Sequence, residues 1–255
     1  MKVDITYKCS MHCSHCMSNC DERGKHMTLE TFDKVIQFHK KYQPNLIILT
    51  GGEIFEHPQI TTIIGKALAN FKTVALLTNG FNLSADENLY KFMQNVYKAH
   101  SEQIKIQVTN DPRYYPQKLS EHQKTLLRKI GVKKIDEVIG LYPQGRAFLN
   151  FSSADWLTIA PKCVNVRLLP KQGYTTLENI ISTLAGVKKF CTPTIAPDGG
   201  IKLGESALCP NCACIDDSEA EIIDKILNFK CSQCAIPLAR LKDTSPLAYK
   251  LIEGD

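Results

Sequence analysis

No apolar stretch among the 255 residues reaches the ~18 needed to span a bilayer. The start, Met1-Lys-Val-Asp-Ile-Thr-Tyr7, lacks the apolar core of a secretion signal. Both absences point to a soluble cytoplasmic protein with no membrane partner. No block of five or more like charges occurs, and the lysine pairs at 133–134 and 188–189 stand apart in a chain of net charge +5. Charge so small and scattered describes a solvated surface and carries no nucleic-acid signature. Internal repeats and low-complexity linkers are also missing, so any domain boundary is soft. A hydrophobic share of 44% still permits a real core. The length allows one large domain, or one domain with a small second.

Cysteine is what the chain has in excess, with eleven. In a reducing compartment such cysteines serve metals or catalysis more often than disulfides. An odd number cannot pair completely within the chain. Cys9, Cys13 and Cys16 open it in the spacing C-x3-C-x2-C, which suits one tight loop around a metal cluster. An iron–sulfur cube normally takes four thiolates. Three from one loop leave one iron without a protein ligand, and open metal positions are where chemistry happens. A zinc loop is the alternative. Zinc sites usually pair C-x2-C with a second distant pair, and a C-x3-C opening is unusual for them.

Beyond the loop the order is strand then helix, repeated. Val3–Tyr7 is a short β-prone run. Residues 28–43 carry Leu29, Phe32, Val35 and Ile36 at helical spacing behind the N-cap candidate Thr28. Leu46–Thr50 and Val74–Thr78 are apolar runs of the kind buried on both faces of a parallel sheet. A helix is expected at 59–70. Another follows the capping-box pattern Ser84-Ala-Asp-Glu87. Gln103–Thr109 alternates as a strand, 117–130 forms a helix, Lys134–Leu141 a strand, and Val164–Leu169 a sixth. Such alternation argues for parallel βαβ units, and in a (β/α) barrel the site lies at the C-terminal strand ends. The cysteine loop, Gly51–Glu53, Thr78–Gly80 and Thr109–Asp111 all fall at such ends. A capping box at Thr175-Thr-Leu-Glu178 opens a later helix.

These motifs resemble the radical S-adenosylmethionine (radical SAM) enzymes, whose signature is C-x3-C-x2-C. Thr50-Gly51-Gly52-Glu53 matches the family's Gly-Gly-Glu after its second strand, and Thr78-Asn79-Gly80 closes the next run as it does there. The match covers the first 150 or so residues in order. It implies an α/β fold, a partial (β/α)6 barrel over 1–160, with 161–255 as a connecting helix and small cysteine-rich domain. It also implies that Cys9, Cys13 and Cys16 bind three irons of a [4Fe–4S] cluster whose fourth iron is chelated by S-adenosylmethionine (SAM). One electron then cleaves the sulfonium, and the 5′-deoxyadenosyl radical takes a hydrogen atom from a substrate. By motif, Gly51, Gly52 and Glu53 contact the methionine ammonium, with Thr78 and Asn79 beside them. His15 lies against the adenine, a solvent-facing histidine being the other reading. Thr109 and Asn110 bond the ribose or carboxylate, and Ile139 and Gly140 flank the adenine. Tyr142–Ala147 resembles a Gly-Arg-Ala segment of the family. There Arg146 holds an anionic group or moves a proton, or else forms an ion pair that fixes the loop.

Cys191, Cys209, Cys212, Cys214, Cys231 and Cys234 crowd the last third. The turn signal Pro197-Asp-Gly199 predicts a β-hairpin with a cysteine near each end. From Cys191 the spacing C-x12-G-x4-C, with Gly204, resembles the opening of the SPASM and twitch extensions. The C-x2-C-x5-C-x3-C run of a full SPASM extension is absent. The shorter twitch type implies a second, auxiliary [4Fe–4S] cluster on Cys191, Cys209, Cys231 and Cys234, with Cys212 and Cys214 as alternative ligands. A zinc ribbon on Cys209/Cys212 and Cys231/Cys234 is the competing reading. Cys20, Cys163, Cys212 and Cys214 are otherwise incidental, or one donates a hydrogen atom to a substrate radical, as Cys163 would.

The expected function is a radical SAM oxidoreductase that oxidises a small alcohol or sugar-like metabolite, with the auxiliary cluster accepting the electron and a flavodoxin- or ferredoxin-type donor supplying the first one. The alternative is a maturase of a ribosomally made peptide or protein. The cysteine loop begins at residue 9, leaving no room ahead of it for a leader-recognition domain. A non-catalytic zinc or electron-transfer protein is the reading from another class.

Overall fold

Strand and helix alternate from Lys2 to Asp136, as their hydrophobic periods demand. A computed structural model describes residues 1–138, 140–142, 144–152, 176–186, 192–229 and 243. The chain forms two units. One holds Lys2–Cys13 and Cys20–Ile139; the other holds Met1, Ser14–Asn19 and Gly140–Asp255. The fold is α/β with mostly parallel strand pairing.

In the first unit β1 (Lys2–Thr6) leads into the cysteine loop. Then come α1 (Leu29–Tyr42), β2 (Leu46–Gly51), a 3-10 turn (Ile54–Glu56), α2 (Ile60–Asn70) and β3 (Thr73–Thr78). α3 (Phe81–Ala85), α4 (Glu87–His100), β4 (Ile104–Thr109), α5 (Glu121–Lys129) and β5 (Ile135–Asp136) complete it. The five strands pair in parallel in the order β5-β4-β3-β2-β1. Parallel neighbours need helical crossovers, which α1, α2 and the later helices provide. All strand C-termini therefore lie at one edge.

Val3, Ile5, Ile47, Leu49, Val74 and Leu76 alternate along their strands with 0% exposure. Phe32, Val35, Ile63 and Ile64, on the apolar stripes of α1 and α2, are equally buried. The opposite face is less covered: Ile48, Ala75 and Leu77 are half-buried and Leu46 is exposed. The apolar runs are thus buried fully on one face, where two were expected.

Thr28 caps α1, its hydroxyl accepting the Thr31 N–H at 3.1 Å. The expected cap at Ser84 is displaced. Ser84 lies inside α3 with its hydroxyl donating to Gly80 O at 2.7 Å, and Asp86 accepts the Asn88 and Leu89 N–H groups at the start of α4. α5 starts later than residue 117 because Ser120 and Gln123 form the capping box there. β5 is shorter than Lys134–Leu141 because the Val138 N–H turns to Asp111 Oδ2 at 2.9 Å and leaves the ladder.

The second unit contains α6 (Gly145–Asn150), α7 (Leu177–Gly186), β6 (Thr194–Ile195), β7 (Gly200–Lys202), β8 (Asn211–Cys214) and α8 (Glu219–Leu227). β6, β7 and β8 pair antiparallel in that order. The hairpin turn forms at Pro197-Asp-Gly199: Gly199 N–H donates to Ala196 O at 2.9 Å, with Gly199 at φ +84°. Leu177, Ile180 and Leu184 of α7 are buried, as are Ile222 and Ile226 of α8. The expected strand Val164–Leu169, the cap at Thr175 and the boundary at 160–161 lie outside the described residues. No described helix is long and apolar enough to cross a membrane.

Asp111, 1% exposed, ties β4 to β5. It takes Arg113 in a two-pronged ion pair, Nε to Oδ1 at 3.0 Å and Nη2 to Oδ2 at 2.6 Å, besides the Val138 N–H. Arg113 accordingly holds its carboxyl well below the usual range. Asp111→Ala should lower unfolding free energy by about 1–3 kcal/mol. Lys134→Ala, which breaks a surface pair with Asp136, should change it by less than about 1 kcal/mol. Urea titrations followed by circular dichroism check both.

Candidate functional site

The N-terminal loop is anchored by backbone before any side chain matters. Thr6 O, at the end of β1, accepts the Gly52 N–H at 2.7 Å, and Lys8 O accepts the Glu53 N–H at 2.8 Å. Cys9 N–H donates to Asp21 O at 2.9 Å. A Cβ on Gly51 would lie 2.1 Å from Thr6 O, and one on Gly52 would lie 2.2 Å from Lys8 O. Gly51 has φ +132° as well. The glycines therefore let β2 press against the root of the cysteine loop. Glu56, which the sequence reading passed over, accepts both the N–H and the hydroxyl of Ser10 at 2.8 Å. Its only sequence signal is its place three residues after Glu53. His12, between Cys9 and Cys13, is left-handed at φ +49°. A non-glycine residue there is uncommon, and the surrounding loop must hold it.

Glu53 has no exposed surface. Its Oε1 accepts the Phe55 N–H at 3.1 Å and the Thr78 hydroxyl at 2.6 Å, and Oε2 accepts the Asn79 N–H at 2.8 Å. One carboxylate thus joins the ends of β2 and β3. Burial pushes Glu53 up to about 7, against the Thr78, Asn79 and Phe55 donors, which favour the charged form. A carboxylate has about four lone-pair sites, and the room left is on Oε2.

Asn110 is largely buried, with both ends of its amide committed to the following loop. Nδ2 donates to Gln117 O and Oδ1 accepts the Leu119 N–H, each at 3.2 Å. Thr109 beside it is half-buried. Ile139 lies outside the described residues, and Gly140 is half-buried in the second unit.

Within the second unit, the Ser14–Asn19 segment carries His15 and Cys16, both half-buried. α6 holds it: Arg146 N–H donates to Cys16 O at 2.9 Å, and Asn150 Nδ2 to Ser14 O at 3.0 Å. Gly145 makes this approach possible. It sits at φ +56°, and a Cβ there would lie 2.7 Å from Cys16 O and from the Met17 carbonyl carbon. The Gly-Arg-Ala segment thus meets the loop through its backbone, whatever the Arg146 guanidinium does besides.

The hairpin carries the later cysteines. A Cβ on Gly204 would lie 2.6 Å from Cys209 Sγ, so this glycine makes room for that thiol. Cys212 and Cys214 share one face of β8. Cys212 Sγ donates to Ile201 O at 3.1 Å, and burial pushes its thiol up to about 12. Cys163, Cys191, Cys231 and Cys234 lie outside the described residues.

The donor chemistry of the N-terminal loop fits an iron–sulfur cluster: three soft thiols on a backbone pinned at Cys9 and Cys16. Among the described residues no three His, Cys, Asp or Glu side chains stand close enough to hold one metal ion. A cube binds each thiolate through a different iron and spreads them further apart. Glu53, with one lone-pair site left on Oε2, fits a ligand ammonium, which would lower its pKa.

A family model described as the Radical SAM superfamily matches residues 3–141. The antilisterial bacteriocin subtilosin biosynthesis protein AlbA of Bacillus subtilis (strain 168) is 29% identical over 109 residues. That match spans 42% of this chain and 23% of AlbA, so only about a quarter of that relative's length is represented. Among solved structures, BtrN in complex with AdoMet and 2-DOIA aligns with TM-score 0.50 at 12% identity, over 94% of this chain and 88% of BtrN. Streptococcus suis SuiB bound to precursor peptide SuiA aligns with TM-score 0.45 at 11% identity, over 91% and 68%. The likeness to BtrN is one of fold.

Glu53 ionises near 4.5 when unfolded and near 7 when folded. The folded state therefore holds the proton more tightly between those values. Its stabilising contribution is whole below about pH 4.5 and is lost as the pH rises to about 7. The melting midpoint of metal-free protein should fall over that window, and Glu53→Gln should flatten the fall; an unchanged slope would place the proton elsewhere. Gly145→Ala should cost about 1–3 kcal/mol of local stability. Faster hydrogen exchange at the Arg146 amide, which donates to Cys16 O, would report it.

Proposed function

The chain belongs to the radical SAM superfamily, and we propose that it cleaves S-adenosylmethionine reductively and removes a hydrogen atom from an organic substrate. The observation that carries this is the anchored loop of Cys9, Cys13 and Cys16, with Gly52 and Glu53 bonded to its root. When bound, the cluster and SAM supply one electron and a 5′-deoxyadenosyl radical; the protein's part is positioning and exclusion of side reactions. Cys9, Cys13 and Cys16 hold three irons. Glu53 Oε2 receives the methionine ammonium, while Thr78 and Asn79 orient the carboxylate rather than touch the ligand through it. His15, Ile139 and Gly140 serve the adenine, and Thr109 and Asn110 the ribose edge, Asn110 by bracing its loop.

The architecture we propose is a partial (β/α)6 barrel over 1–160 followed by a twitch-like domain over 161–255. Its hairpin supplies Cys209, with Cys191, Cys231 and Cys234 completing an auxiliary cluster. Gly204 beneath Cys209 supports the hairpin as a ligand platform. Cys212, hydrogen-bonded to Ile201 O, is the weaker alternative and Cys214 the stronger. With an acceptor there, hydrogen-atom loss followed by one electron and one proton completes a two-electron oxidation of a small alcohol or sugar-like metabolite. Arg146 holds an anionic group of that substrate, and Cys163 remains a candidate hydrogen donor. The first electron comes from a flavodoxin- or ferredoxin-type partner. A second substrate reading is a ribosomally made peptide, which the similarity to the bacteriocin biosynthesis protein AlbA favours.

Anaerobic reconstitution followed by dithionite and SAM should yield 5′-deoxyadenosine and methionine, and Cys13→Ala should reduce both to background. Two cubes give about eight irons per chain and one gives about four. Deuterium carried into 5′-deoxyadenosine from a labelled polyol or from a labelled peptide decides the substrate class. A colourless zinc-loaded chain that leaves SAM intact would contradict the proposal.

A further inference from the structure

Met17 and Ser18 follow directly on Cys16, and the turn between β7 and Cys209 grips them. Ser206 Oγ donates to Met17 O at 2.8 Å across a sequence separation of 189 residues. Ala207 N–H donates to Ser18 Oγ at 3.0 Å. Ser206 is 1% exposed. Its hydroxyl also accepts the Leu208 N–H at 3.1 Å, and its carbonyl accepts Lys202 Nζ at 3.0 Å and the Cys209 N–H at 3.1 Å.

A hydroxyl has one proton to give. With the Leu208 N–H aimed at the oxygen, that proton is directed to Met17 O. Removing Oγ would strip Met17 O of this donor and Leu208 N–H of this acceptor together, at a buried position where such losses are felt most. The same residue accepts from the Cys209 N–H, so one node serves the end of the cysteine loop and the backbone of Cys209.

We propose that Ser206 is a positioning residue for the Cys16 thiolate: by holding the carbonyl of Met17, the residue next to Cys16, it fixes the third protein ligand of the SAM-binding cluster. The inference rests on the radical SAM reading of the loop. Arg146 N–H grips Cys16 O from one side, and Ser206 grips the next carbonyl. Together they restrict the swing of a half-buried side chain that C-x2-C spacing alone leaves loose.

The full chain and its Ser206→Ala, Ser206→Thr and Ser18→Ala variants would be reconstituted anaerobically. Iron content, melting midpoint and the electron paramagnetic resonance of the reduced cluster with increasing SAM would be compared. Ser206→Ala should keep its iron but broaden the signal and weaken SAM binding about tenfold, as loss of a buried hydrogen bond would. Ser206→Thr, which keeps the hydroxyl, should restore both; a merely structural role predicts equal spectra in every folded variant. A folded Ser206→Ala with wild-type spectrum and titration overturns the inference, as does a threonine variant that behaves like alanine. Should Ser206→Ala not fold, Ser18→Ala decides: a smaller shift in the same direction supports the clamp, and none overturns it. A wild-type chain that takes no cluster sinks the radical SAM reading and this inference with it. One that takes the cluster leaves only the clamp at stake.

Discussion

A single buried carboxylate, Glu53, holds the ends of β2 and β3 together by taking donors from Phe55, Thr78 and Asn79. One residue earlier and at the same residue, the backbone N–H groups of Gly52 and Glu53 close onto Thr6 and Lys8 at the root of the cysteine loop. The Gly-Gly-Glu motif, the Thr78-Asn79 strand end and the root of the loop at Thr6 and Lys8 are therefore one bonded assembly in the first unit. Desolvation opposes the charge on Glu53, and the three donors favour it. A group poised in this way changes its ionisation readily when a cation arrives.

Glycine works here as a spacing device between backbones. Gly51 and Gly52 admit the root of the cysteine loop, Gly145 admits the Cys16–Met17 peptide, and Gly204 admits the Cys209 thiol. At each position a methyl group would stand less than 3 Å from an atom that is backbone or a candidate metal ligand. The second unit treats its piece of the loop as the first does, by gripping carbonyls: Ser14 O, Cys16 O and Met17 O each have a protein donor. Thiols displayed from a backbone held at these carbonyls have less freedom to lose when metal binds, which is preorganisation in the ordinary thermodynamic sense.

Much of the first unit was legible because its signals are local. A β-prone run, two continuous apolar runs and one alternating run placed β1 to β4, a helical stripe placed α1, and Thr28 capped where a threonine before an apolar stripe should. The misplaced features were contests between neighbours: Asp86 outcompetes Ser84 as a cap, Ser120 outcompetes residue 117, and Asp111 draws Val138 out of β5. Spacing located the cysteines, Gly-Gly-Glu and Thr-Asn-Gly, but not what they bond. That Glu53 faces Thr78, that Asn110 braces its own loop, and that Ser206 meets Met17 are tertiary facts with no periodic signature. The hairpin turn at Pro197-Asp-Gly199 was readable because its conformation is set within four residues.

The proposed function requires one iron whose coordination the protein would leave to the amino and carboxylate groups of SAM. Pulsed electron–nuclear spectroscopy of the reduced, reconstituted chain with SAM labelled with 15N at the amino group tests that directly. A resolved 15N coupling in the wild type, lost when Cys16 is replaced by alanine, is the predicted result. A cluster signal with no nitrogen coupling at saturating SAM would contradict it.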